Sequence, residues 1–238
     1  MAIVIKRLTA RVGRKLLRAV GPALGVPADK KDEILRPAFS AVQSWGIDGD
    51  YLEFGVYEGR AMDWAMRHAR RTKNDMRFFA FDTFTGLPDV DDMGKWVPGD
   101  YACSEATFRE NLRRRGHNLS RLTCVAGDFR ETLTGGLRAE IGLEAAAIVF
   151  VDCDLYESTV PVLRFITPHL VTGSIIAFDD WFSFGGDPFR GEIRAVNEWL
   201  ESTPSVELGH YRDFGISGRS FVVVRREASR DNDCSTVD

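Results

Sequence analysis

Several things are missing from this sequence, and each absence excludes a class of protein. The four cysteines, Cys103, Cys124, Cys153 and Cys234, form no C-x-x-C pair and no metal-finger spacing, so they read as reduced thiols of a cytoplasmic protein. No apolar run approaches the ~20 residues that a membrane-spanning helix needs. A net charge of −4 gives no reason to expect nucleic acid as a partner. There is no G-x-G-x-x-G for dinucleotides and no G-K-[ST] for a P-loop. Neither G-x-S-x-G nor H-E-x-x-H is present, which removes the usual serine-hydrolase and zinc-protease readings. What remains fits one α/β domain with an N-terminal extension over 238 residues, long enough to bury a full core.

Residues 1–28 lack acidic side chains altogether, while carrying Lys6, Arg7, Arg11, Arg14, Lys15 and Arg18. Leu8, Val12, Leu16 and Val20 recur at helical spacing, which predicts a basic amphipathic helix. Its role stays open between a helix packed on the body or on a second subunit, a helix on an anionic membrane surface and a transit peptide. A second helix is expected over 32–45, with Pro37 kinking it or delaying its start. The divisions expected are an extension or lid over 1–48, a catalytic domain over 49–228 and a disordered polar tail over 229–238.

The informative stretch is Tyr51–Gly59, Y-L-E-F-G-V-Y-E-G, followed at once by a helix-permissive segment. This predicts a strand, a tight glycine turn and a helix N-terminus, where backbone N–H groups and the helix dipole meet a small ligand. Glu53, two residues before Gly55, repels a pyrophosphate but suits a cationic amino group such as that of S-adenosylmethionine (SAM). Asp82 ends the next expected strand, 77–81, and lies 29 positions beyond Glu53, about one β-α-β unit on. There it is placed to accept the two hydroxyls of a ribose, or to cap a turn. After a third strand over 122–126, Asp128 and Phe129 can meet a nucleobase, and Asp128 can equally cap a helix.

Strands and helices alternate from Gly55 onward, which predicts a largely parallel sheet with helices on both faces. Two successive strands, 146–151 and 173–178, end in Asp152-Cys153-Asp154 and Asp179-Asp180. Four acids at one sheet edge repel each other unless a cation or protons neutralise them. With no His or Cys ligand set beside them, hard carboxylate oxygens suit Mg²⁺ or a similar divalent ion. The irregular stretches 83–104 and 182–190 are the expected enclosing loops. Trp96, Tyr101, Trp181 and Phe184, in or beside them, can stack on sugar faces or simply pack the loops.

Together, Y-L-E-F-G-V-Y-E-G, F-F-A-F-D-T-F-x-G-L-P, A-G-D-F-x-E-T-L, V-D-x-D-L-Y-E-S-T and I-I-A-F-D-D-W resemble the macrocin O-methyltransferase (TylF-like) family. The resemblance covers about 50–200. It implies a Rossmann-like class I methyltransferase fold, a seven-stranded, mostly parallel sheet whose last strand is antiparallel. It also implies methyl transfer from SAM to sugar hydroxyls of natural products, in many members with a metal. Carried over by position, Glu53, Gly55 and Gly59 hold the methionine portion of SAM, with Tyr57 in the same turn. Asp82 takes the ribose, with Thr83 beside it, and Asp128 and Phe129 meet the adenine. Asp152, Asp179 and Asp180 match the metal ligands, Asp152 also bordering the cofactor. Asp152 and Asp154 are the catalytic candidates, Asp154 as ligand or general base. Some relatives use a histidine base, and His210 could reach the cluster only through the fold. A catechol-type acceptor remains open beside a sugar, since a metal serves any vicinal pair of oxygens. A nicotinamide-dependent oxidoreductase explains Asp82 but neither Glu53 nor the four acids, and a non-catalytic SAM-binding scaffold leaves those acids without work. A sugar-bearing or diol acceptor and a homo-oligomeric state complete the expectations.

Overall fold

The computed structural model describes residues 29–225. The basic amphipathic segment and the polar tail lie outside the described residues. Strand alternation decides the architecture. In β1 (Asp50–Phe54) Tyr51 joins one apolar cluster, while Leu52 and Phe54 join another on the opposite face. β2 (Phe78–Asp82), β3 (Leu122–Ala126), β4 (Ala146–Val151) and β5 (Leu170–Phe178) pair in parallel around it. β4 is buried along its whole length, as expected for a strand covered on both sides. β6 (Val206–Phe214) and β7 (Gly218–Arg225) form the closing hairpin. The seven-stranded order is β3-β2-β1-β4-β5-β7-β6, and β7 runs antiparallel to both neighbours. This is the sheet that the resemblance implies.

One face is covered by α1 (Lys30–Trp45), α2 (Arg60–Thr72) and α3 (Glu105–Arg114), with Ile34, Leu35, Phe39, Met62, Ala65 and Phe108 in its core. The other is covered by α6 (Tyr156–Ile166) and α7 (Gly191–Ser202), which bring Val162, Phe165, Val196 and Trp199. Between β3 and β4 lie the short helices α4 (Phe129–Thr132) and α5 (Gly135–Glu140). Among the described residues, no helix is long and apolar enough to cross a membrane.

Some boundaries differ from expectation, with physical reasons. α1 starts at Lys30, ahead of Asp32, because Asp29 caps it by accepting from the Lys31 and Asp32 amides, a strong N-terminal signal. The helix continues through Pro37, whose lost hydrogen bond is outweighed by the apolar face that α1 buries. α3 begins at Glu105, capped by the Ser104 side chain. β5 starts at Leu170, ahead of the expected 173, directly after a 3₁₀ turn at Thr167–His169 that ends α6.

Candidate active site

The sheet reverses its strand order between β1 and β4, and open α/β sheets bind ligands at such a switch point, beyond the carboxyl ends of the strands. The backbone ladder runs one residue past each strand there. The Gly55 amide donates to Phe81 O at 2.9 Å, Asp152 to Phe54 O at 2.8 Å and Asp179 to Val151 O at 2.9 Å. The sequence-predicted glycine and acids are therefore held in register along one edge. They line a cavity of about 430 Å³ that also receives Asp82, Asp128, Phe129 and Asp154, within the size range of small-molecule sites.

The glycine turn has a left-handed backbone at Gly55 (φ 85°), Tyr57 (φ 44°) and Gly59 (φ 78°). An added Cβ on Gly55 would lie 2.0 Å from the Asp152 carbonyl oxygen, so glycine alone lets the turn touch the β4 acid strand. Asp82 braces the turn: its Oδ2 accepts from the Val56 amide at 2.7 Å and the Tyr57 amide at 3.1 Å, and its Oδ1 accepts from the Phe84 amide at 2.8 Å. Thr83 lines the cavity and donates its hydroxyl to Gly86 O at 2.7 Å. Glu53 is buried at the floor, where Tyr51 Oη donates to its Oε2 at 2.7 Å. Burial pushes its carboxyl up to about 8, against the pull of Tyr51 and Lys31. Asp128 both borders the cavity and caps α4, accepting from the Arg130 amide at 2.8 Å, while Phe129 packs edge-on against Phe54. Asp128 is thus a helix cap that also lines the cavity.

Asp152, Asp179 and Asp180 each offer an oxygen, all within 4.8 Å of one another. Asp179 Oδ1 is buried without a partner, a costly state that a cation relieves, so this all-oxygen donor set fits a hard divalent ion. Asp154 lines the same cavity in a left-handed conformation, φ 63°. Burial, with Asp179 and Asp180 as the respective neighbouring charges, pushes Asp152 and Asp154 well above the carboxylate range. Burial works on Asp179 in the same direction, but Lys31 and Lys30 overcome it and hold Asp179 ionised.

Those two lysines were not foreseen. Lys30 Nζ donates to Asp179 Oδ2 at 2.5 Å, and Lys31 Nζ bonds Asp152 and lies 3.4 Å from the same Asp179 oxygen. The Asp29 cap was the one signal in the sequence that could have placed them at a helix start. Glu192, at the start of α7, was also missed. Its Oε2 accepts from the Asp180 amide at 3.2 Å, and its Oε1 is buried without a partner. The fold keeps His210 away from the cavity: it sits on β6, half exposed, with Nε2 3.1 Å from Asp213 Oδ1. Trp181 packs in the core with Phe178 and Phe221 and does not face the cavity. Trp96 and Tyr101 do line it, and Phe184 supports Trp96 with ring centroids 5.6 Å apart.

A family model described as macrocin-O-methyltransferase (TylF) matches residues 24–198. The chain is 28% identical over 163 residues to 8-demethyl-8-(2,3-dimethoxy-alpha-L-rhamnosyl)-tetracenomycin-C 4'-O-methyltransferase of Streptomyces olivaceus, covering 64% of this chain and 60% of that protein. It is also 28% identical over 165 residues to demethyldecarbamoylnovobiocin O-methyltransferase of Streptomyces niveus, with the same two coverages, 64% and 60%. The matched part thus spans about 60% of the length of these relatives. Among solved structures, the O-methyltransferase NovP aligns with a TM-score of 0.68 at 24% identity, over 83% of this chain and 84% of that one, a likeness of fold. CalS11, a calicheamicin methyltransferase, aligns with a TM-score of 0.64 at 29% identity, over 79% of this chain and 76% of that one. The family match runs from ahead of α1 into α7, well over half the chain, and takes in the glycine turn and both acid pairs: this protein belongs to the macrocin-O-methyltransferase (TylF) family.

Proposed function

We propose that this protein is an O-methyltransferase that moves a methyl group from SAM to a hydroxyl on the sugar moiety of a natural product or glycoconjugate, with Mg²⁺ or a similar divalent ion. One observation carries the reading. The glycine turn and the carboxylate cluster share a wall, because Gly55 lies against the Asp152 carbonyl. A donor in the turn and an acceptor at the acids are then neighbours in one cavity. The relatives named above methylate oxygens of natural products by their descriptions, which supports the acceptor class.

SAM supplies the methyl group and leaves as S-adenosylhomocysteine, and a divalent ion held by Asp152, Asp179 and Asp180 supplies charge that makes a neighbouring hydroxyl easier to deprotonate. The chain's own residues do the rest. Glu53 faces the cationic amino group, Asp82 accepts from the ribose while it braces the turn, and Phe129 and Asp128 border the adenine. Asp154, which lines the cavity with the three ligand acids, takes the hydroxyl proton as a carboxylate while the oxygen–carbon bond forms. Trp96 and Tyr101 close over the acceptor, and excluding water fixes oxygen and methyl in line.

Calorimetry tests the donor half. Asp82→Ala removes both backbone bonds to the turn and the one to Phe84 together with the ribose acceptor, so SAM affinity is expected to fall by roughly a hundredfold or more. Unchanged SAM binding in this variant removes Asp82 from the cofactor site and with it the proposed pose. A nicotinamide nucleotide binding in place of SAM overturns the function itself.

The raised Glu53 pKa sets a pH dependence. Below about 8 the free protein holds this carboxyl neutral, whereas a bound ammonium requires it ionised. Binding therefore releases a proton, and SAM affinity is expected to rise by up to about tenfold per pH unit toward pH 8, then level off. Stability runs the other way: the folded state binds the extra proton, so the contribution of Glu53 is full below its unfolded value near 4.5 and is lost as pH rises through about 8. Calorimetry of SAM in buffers of different ionisation enthalpy reads the released proton, and Glu53→Gln is expected to abolish it.

A further inference from the structure

Lys30 and Lys31 stand where the cation belongs. Both ammonium groups crowd a single oxygen of Asp179, its Oδ2, and Lys31 also bonds Asp152. The other oxygen of Asp179 and Oε1 of Glu192 remain buried and bare. Two monovalent groups therefore leave the cluster of Asp152, Asp154, Asp179, Asp180 and Glu192 under-neutralised. They also occupy two of the three carboxylates that could hold a divalent ion. Like charges a few ångströms apart in a buried site repel strongly, so ion and ammonium groups do not share those oxygens.

The backbone that carries the lysines is pinned by other residues, so their Nζ contacts are not what holds α1 in place. Asp29 accepts from Arg60 Nε at 2.6 Å and from Trp64 Nε1 at 3.1 Å, tying the first turn of α1 to α2. Asp32 is tied to His68 Nε2 at 2.8 Å. Lys30, by contrast, keeps 39% of its side chain exposed, and a lysine stem is flexible enough to swing its charge into water.

Resting on the reading of Asp152, Asp179 and Asp180 as a divalent-ion site, we propose that Lys30 and Lys31 are the resident cations of the carboxylate cluster and that the divalent ion enters by exchange with them. α1 then sets the metal affinity: the two ammonium groups keep the acids apart from solvent and correctly spaced when the ion is absent, and they compete with it when it is present. The released side chains stay at the cavity, which both lysines line.

The test uses Mn²⁺ titrated into the full chain and followed by the electron-spin resonance of the free ion, with SAM binding measured on the same samples. Lys30→Met, Lys31→Met and the double substitution are expected to bind Mn²⁺ tighter, by roughly tenfold or more in the double variant, since the competing cation is gone. Lys31→Arg keeps the charge and is expected to stay within about threefold of the parent. Amine labelling on the unmodified protein needs no substitution: Mg²⁺ is expected to raise the acetylation rate of Lys30 and Lys31 as their ion pairs with Asp179 and Asp152 open. Mn²⁺ affinity that is unchanged or weaker without the lysines overturns the exchange, as does unaltered labelling of the two amines on adding Mg²⁺, and both leave the divalent site intact. Mn²⁺ binding to none of the forms, with SAM still bound, overturns the exchange and the metal part of the proposed function together.

Discussion

Gly55→Ala is expected to unfold the edge on which both halves of the site rest. The new methyl would sit 2.0 Å from the Asp152 carbonyl oxygen and 2.8 Å from its carbon, and these are backbone atoms of the central strand, which cannot swing aside. The turn needs φ 85° at this position, where a side chain adds about 1–2 kcal/mol. Overpacking a tight contact adds roughly 1–3 kcal/mol more. Chemical denaturation is therefore expected to show a loss of about 2–5 kcal/mol, a large share of a domain's total stability. The same variant should lose SAM binding and divalent-ion binding at once, because β1 and β4 must separate to admit the methyl. Gly99→Ala serves as the control: it too has a left-handed backbone, φ 86°, but its added Cβ would meet nothing within 4 Å. It is expected to show only the backbone penalty. Equal losses in the two variants would mean that the contact with Asp152 does not matter.

The second large effect concerns Asp179. Asp179→Asn keeps shape and removes the charge that both lysines and the proposed ion require. Methyl transfer is expected to fall by roughly a hundred- to a thousandfold, with SAM affinity nearly unchanged because Asp179 lies beyond the glycine turn. Initial rates at saturating SAM, set beside calorimetric SAM affinities, separate the two. A rate within about threefold of the parent would remove Asp179 from the reaction. Asp180→Asn is a useful companion. Its Oδ1 accepts from Ser183 Oγ at 2.6 Å, a bond the amide oxygen of asparagine can preserve, so any rate loss there reports charge and not the position of the loop.

The chain announces the sheet and the edge acids clearly. The short, mostly apolar runs over 51–54, 78–81 and 146–151 read as buried strands, and open α/β sheets bind ligands beyond such strand ends. For that reason the glycine turn, Asp82, Asp128 and the two acid pairs were placed without coordinates, and the cavity gathers them. Lys30 and Lys31 illustrate what a linear reading misses. They precede the glycine turn by a whole helix, and their meeting with Asp152 and Asp179 depends on how α1 crosses the sheet, which no local pattern encodes. Glu192 looks in sequence like an ordinary acid in the first turn of a helix, yet it is buried behind Asp180. Trp181 misled for the opposite reason. A tryptophan beside two acids suggests a binding surface, but the turn after β5 directs it toward Phe178 and Phe221.

The placement of β1 beside β4 has a consequence for how the molecule is made. Phe54 pairs with Val151, so the central contact of the sheet joins segments separated by nearly half the chain. Loop-closure entropy opposes such a contact until much of the intervening polypeptide has collapsed, and non-local pairing of this kind slows folding. During synthesis, the glycine turn and Asp82 emerge early and can form a β-α-β unit alone. The acids that complete the cavity arrive only with β4 and β5. A chain interrupted before β5 therefore exposes the edge of β1 or β4, strands buried along their whole length in the finished sheet, and an unpaired edge of that kind is a site for aggregation. The order in which the ribosome delivers these strands thus assigns the burden of solubility to the first half of the protein and the completion of the chemistry to the second.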